Sequence, residues 1–91
     1  MTRDELLKYI DQTLLKPQAT IEELYSFLRE AKDYKFYAVC INPWFTGLAV
    51  EEMRGTGIKT GIAIGFPLGA TTTRTKLYEA EEALDNGADE L

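Results

Sequence analysis

Ninety-one residues leave room for one domain, 1–91, and a balance of 45% hydrophobic to 27% charged residues is that of a globular chain rather than a disordered or membrane-spanning one. Fifteen acids against ten bases give a formal charge of -5, with the bases scattered singly, which argues against nucleic acid and against a membrane as partners. Histidine is absent and Cys40 is the single cysteine, so an intrachain disulfide is excluded and acid–base chemistry falls to carboxylates, lysines, tyrosines or water.

The opening Met1-Thr2-Arg3-Asp4-Glu5 carries acids where a secretory leader needs a basic head, so a cytoplasmic protein is expected. Thr2 and Glu5 form a capping-box pattern for a short helix, with Leu6, Leu7 and Ile10 as its apolar stripe. A first strand is predicted over Ile10 to Leu15, stopped at Lys16-Pro17 because proline has no N–H for the ladder. A second capping box, Thr20 to Glu23, starts a helix whose Ile21, Leu24, Tyr25, Leu28 and Ala31 share one face. Phe36 to Ile41 is apolar without alternation, as expected of a strand covered on both sides in a parallel sheet.

Asn42 is placed to cap a third helix with Pro43 at its first position, and Phe45, Leu48, Ala49 and Met53 continue the helical spacing. Gly55 and Gly57 close that helix, and Ile58 to Gly65 reads as a third strand ending in Gly65-Phe66-Pro67-Leu68-Gly69. One of the threonines at 71, 72 and 73 caps a fourth helix, in which Leu77, Ala80 and Leu84 are expected to be buried. Asn86-Gly87 stops it, and Ala88-Asp89-Glu90-Leu91 begins another strand.

Strand and helix alternate three times before that last strand starts. Alternation of this kind requires right-handed crossovers onto a parallel sheet, either open and doubly wound or part of an eight-stranded barrel. No glycine-rich fingerprint follows the first strand, which weighs against a nucleotide-binding sheet.

Four segments carry more than periodicity: Ile10-Asp11-Gln12-Thr13-Leu14-Leu15-Lys16-Pro17, Ala38-Val39-Cys40-Ile41-Asn42-Pro43, Ile64-Gly65-Phe66-Pro67-Leu68-Gly69-Ala70-Thr71-Thr72-Thr73 and Asn86-Gly87-Ala88-Asp89-Glu90-Leu91. Together, in order and over nearly the whole chain, they resemble the deoxyribose-phosphate aldolases. The resemblance implies an α/β fold of (βα)8 TIM-barrel type, here a truncated partial barrel of about three and a half units. It implies reversible Schiff-base cleavage of 2-deoxyribose 5-phosphate to glyceraldehyde 3-phosphate and acetaldehyde, with no metal and no cofactor. It also implies that Asp11 is an active-site acid, for proton relay or structure, and that Cys40 lines the substrate pocket. Both are expected near the carboxyl ends of their strands, where barrel chemistry is done.

The Schiff-base lysine of such enzymes lies in a later Lys-Thr-Ser-Thr-Gly type segment, and a further family acid would follow Leu91. Neither is in this sequence, so the chain alone is expected to be inactive. Gln12 stands where many members carry histidine. Lys59, in Lys59-Thr60-Gly61, opens its strand and Lys16 sits in a loop, so both are read as solvated lysines rather than nucleophiles. Gly65 to Gly69 is read as a turn rather than a phosphate cradle, and Tyr25, Tyr34, Tyr37 and Tyr78 are assigned no catalytic role.

The alternative is a non-catalytic βα fragment or assembly module. Sheet edges left open, and the expected exposure of Val39, Ile41, Ile62 or Ile64 with Leu77 and Leu84, point to a homo-oligomer or to a complex with the missing barrel half.

Overall fold

The computed structural model describes all 91 residues. Helix α1 (Arg3–Leu7) leads to strand β1 (Asp11–Leu14), α2 (Ile21–Tyr34), β2 (Ala38–Ile41), a 3-10 turn (Pro43–Phe45), α3 (Thr46–Met53), β3 (Lys59–Ile62) and α4 (Thr73–Asp85). The strands form one parallel sheet in the order β1-β2-β3, and Glu90 adds a parallel bridge to Gly61 at the β3 edge. Asp11 pairs with Ala38 and Ala38 with Lys59, so the sheet is in register across its width.

Helix starts follow the sequence closely. Thr2, Thr20 and Thr72 each accept a hydrogen bond from the backbone N–H three residues on, the N-cap geometry that satisfies an otherwise orphaned donor. Asn42 does not do this. Its side-chain amide donates instead to Leu15 O at 3.1 Å, tying the loop after β2 to the end of β1, and Pro43 opens a 3-10 turn before α3 begins. Gly87, at a φ of 103, ends α4 as expected.

The strands are shorter than the apolar runs that announced them. Ile10 and Leu15 lie outside β1, Phe36 and Tyr37 precede β2, and β3 stops at Ile62, although Ala63 N–H still donates to Ile41 O at 3.1 Å.

Alternation along each strand divides the sheet into two unlike faces. One carries Leu14, Val39, Ile41, Thr60 and Ile62 against Leu24, Leu28 and Ala31 of α2, Phe45, and Ala49 and Met53 of α3. Burial of side chains of this size contributes about 1.5–3 kcal/mol each, and this is the single core. The other carries Asp11, Thr13, Ala38, Cys40, Lys59 and Gly61, with no helix over it. Ala38 is still buried, since a methyl group does not rise above its neighbours.

Two expectations about burial fail for this reason. Val39, Ile41 and Ile62 are at most 1% exposed, because all three point to the helix side and the bare side holds small and polar residues instead. Ile64 is partly buried against the same core. Leu77 and Leu84, which spacing alone reads as a buried stripe, are 57% and 52% exposed, the exposure expected of an incomplete sheet; Ala80 is half-buried, and α4 turns Ala83 to the core. Of the α1 stripe only Leu7 is half-buried, while Leu6 and Ile10 stay exposed, as does Ile21 at the start of α2.

Candidate functional site

The bare sheet face gathers the residues with chemical potential. Asp11 is the first residue of β1 and is exposed, so it stands at the amino end of its strand and not, as expected, near the carboxyl end. The proline two residues beyond Leu15 marked only the end of a β-compatible segment, and the ladder starts at Asp11 because Ile10 still belongs to the turn after α1. Cys40 is the third residue of β2 on the same face, opposite Thr13 and Gly61. Burial pushes its thiol above the ordinary value, and the negative charges of Asp11 and then Glu90 push it further the same way. At neutral pH it is therefore a thiol and not a nucleophilic thiolate.

Glu90 completes the group. Its side chain leans over Gly61, where an added Cβ would meet Glu90 Cβ at an ordinary contact distance of 3.8 Å and crowd Val39 O at 3.3 Å. Tyr37, just before β2, donates its hydroxyl to Glu90 Oε2 at 2.8 Å. That bond and the charge behind it hold the phenol above its ordinary value; burial and the carboxylates of Asp11 and Asp89 add to the shift. Asp89 is occupied otherwise, accepting Thr60 N–H at 2.8 Å. These carboxylates do not close into a cage: no three His, Cys, Asp or Glu residues stand close enough to share a metal ion.

The sequence singled out Asp11 and Cys40 without placing them on a shared face, and it did not single out Glu90 or Tyr37 beside them. The signal for Glu90 was a glycine inside a strand, which implies a close neighbour, though not which one.

At the carboxyl ends of the strands lies a second feature, a cleft of about 510 Å³ whose walls include Leu15, Asn42, Trp44, Phe66, Glu79 and Glu82. It is built by the three loops that follow β1, β2 and β3 together with one side of α4. Within the third, Gly65 N–H donates to Glu79 Oε1 and Gly69 N–H to Gly65 O, both at 2.6 Å. Those donors are committed to closing the turn, which agrees with a turn and not an anion cradle. Lys59 is exposed at the first position of β3. Lys16 is exposed too, ion-paired with Glu23, whose carboxyl it holds below the usual value. Neither lysine lies in an apolar pocket.

No family model matches the chain. Individual relatives do. It is 52% identical over 86 residues to a deoxyribose-phosphate aldolase of Clostridium novyi, with 94% of this chain and 39% of that one covered. The corresponding enzyme of Clostridium tetani is 49% identical over 87 residues, with 96% and 40% covered. The chain is homologous to one part of the deoxyribose-phosphate aldolases.

Solved structures agree. A crystal structure from Coccidioides immitis, provisionally named a deoxyribose-phosphate aldolase, superposes with a TM-score of 0.95 at 35% identity, over 100% of this chain and 36% of that one. The deoxyribose phosphate aldolase of Aeropyrum pernix, described as a tetramer, gives 0.88 at 38% identity over 96% and 37%. The α/β sheet is thus an arc of the TIM barrel of these aldolases, and the chain spans about 40% of the length of the curated relatives it matches. No helix is long and apolar enough to cross a membrane.

Proposed function

We propose that this chain is a portion of a deoxyribose-phosphate aldolase barrel, contributing the acid and part of the pocket but not the nucleophile. The observation that carries this reading is the convergence of Asp11, Cys40 and Glu90 on the sheet face that has no helix over it, the side that a closed barrel turns inward. The whole enzyme would cleave 2-deoxyribose 5-phosphate, a small phosphorylated sugar, to glyceraldehyde 3-phosphate and acetaldehyde. There a lysine amine condenses with the carbonyl, and the iminium takes up the electron pair released when the carbon–carbon bond breaks. Asp11 would relay protons through water or hold that water in place, and Cys40 would line the pocket as a neutral thiol. No metal or other cofactor is needed, because the iminium is itself the electron sink.

The 91 residues include no Lys-Thr-Ser-Thr-Gly segment, and Lys16 and Lys59 are exposed. The chain by itself is therefore proposed to be inactive, and a cytoplasmic location fits its substrate. Borohydride reduction in the presence of acetaldehyde tests this: mass spectrometry should find no specific lysine adduct, and deoxyribose 5-phosphate should not be consumed. An adduct at Lys16 or Lys59 accompanied by turnover would overturn it.

One observation favours a second role, as an assembly module. Leu77, Tyr78 and Leu84 leave an apolar stripe on α4 in water, and both edges of the sheet lack a full partner strand. Either a second copy or the remainder of a barrel would cover them. Sedimentation at micromolar concentration should show a dimer or larger species; a monomer at all concentrations would refute self-association.

A further inference from the structure

A cleft of about 480 Å³ lies at the other end of the sheet, away from the loops that follow the strands, between the amino ends of β2 and β3 and the end of α2. Lys8, Lys32 and Lys35 border it, and Phe36, Tyr37 and Ile58 supply much of the rest of its wall. In a chain with a formal charge of -5, this is a local reversal of sign. The cleft's own lining contains no carboxylate; the nearest are Glu52 and Glu90, bonded to Lys32 and Tyr37, while the adjoining hollow that shares Lys8 and Lys35 adds Arg3, Asp4 and Asp33.

Two of the lysines are held in place. Lys8 Nζ donates to Lys35 O at 3.3 Å, and Lys32 Nζ binds Glu52 at 2.9 Å. Lys35 makes no ion pair, and it is the one non-glycine residue with a positive φ, 59°. Glycine would end α2 there without strain. A strained position that keeps a free cation at the rim of a cleft directs attention to what that cation meets.

We propose that this cleft binds a small polyanion of the phosphate class, with the three ammonium groups taking the charge and the aromatic wall shielding it from water. The proposal does not rest on the aldolase reading: its three lysines lie off the bare sheet face and away from the cleft at the carboxyl ends, and Tyr37 alone borders both this cleft and the group around Glu90.

The test is a titration of the isotope-labelled chain with inorganic pyrophosphate at low salt, followed by amide NMR against a sodium chloride control of equal ionic strength. Saturable shifts are expected at Lys8, Lys32, Lys35, Tyr37 and Gly57. Lys35→Gly removes the charge and the strain together, so it should keep the fold, with a thermal midpoint no lower than the parent's, while weakening binding at least about fivefold. Lys8→Gln should weaken it as well. Equal shifts around Lys16, Arg54 and Lys76, no saturation, or unchanged affinity in Lys35→Gly would each overturn the proposal.

Discussion

The two faces of one three-stranded sheet, four residues per strand, do opposite work. Toward the helices stand Val39, Ile41 and Ile62, almost wholly removed from water; on the other side, one residue along in each strand, stand Asp11, Thr13, Cys40 and Gly61, with Glu90 leaning over them. Stability resides on the first face and the candidate site on the second, and a shift of one residue in register would exchange them. A site can therefore be polar, strained or incomplete without unfolding the sheet that presents it.

The largest expected effect tests the covered face. Ile41→Ala removes a fully buried side chain between α2 and α3 and should lower stability by about 2–5 kcal/mol, read as a shift in the denaturant midpoint at unchanged slope. A loss under about 1 kcal/mol would mean that the core relaxes around the cavity and that the two faces are less distinct than described.

A smaller effect, specific to the bare face, is a dependence on alkaline pH. The Tyr37 phenol is raised by its bond to Glu90, so the folded state binds that proton more tightly than the unfolded state. The contribution is complete below the unfolded phenol value of about 10 and is lost as pH rises through the higher folded value. Tyr37→Phe should flatten this part of a melting-temperature profile between neutral and alkaline pH. An unchanged slope would show that the Tyr37–Glu90 bond is not maintained in solution.

The smallest effect is expected at Thr13, exposed in the middle of the bare face with its hydroxyl donating to Asp11 O at 3.0 Å. Thr13→Ala should change stability by no more than about 0.5 kcal/mol in thermal or chemical melts. Set beside Ile41→Ala, it gives the contrast between faces as a ratio. A large loss at Thr13 would mean that the bare face is covered in solution, by a second copy.

These contrasts also mark what the sequence could reveal. The three threonine caps were legible because a cap is a local bond between residues three apart, and the βα order was legible because helix and strand periods differ. The division of Phe36 to Ile41 into faces was not: Ala38 and Cys40 are apolar enough to hide the alternation. Spacing alone made Leu77 and Leu84 a buried stripe because it identifies a stripe without saying what lies against it; the open sheet argued for their exposure, and the core took Ala83 instead. Asp11 and Cys40 were singled out through their resemblance to family motifs, whereas Tyr37 and Glu90, 53 residues apart, meet only once β2, β3 and the last bridge are side by side.

The short segment at Asp89 and Glu90 has one more consequence. Asp89 N–H and Glu90 N–H both donate to Thr60 O, Ile62 N–H donates to Glu90 O, and the Asp89 carboxylate takes Thr60 N–H. The side-chain bond works as an alignment pin: a slip of one residue would withdraw the carboxylate from Thr60 N–H and carry Glu90 away from Gly61. A growing parallel sheet has no tight turn to fix its next strand, and here a single aspartate can reject the wrong offset before that strand has more than one rung.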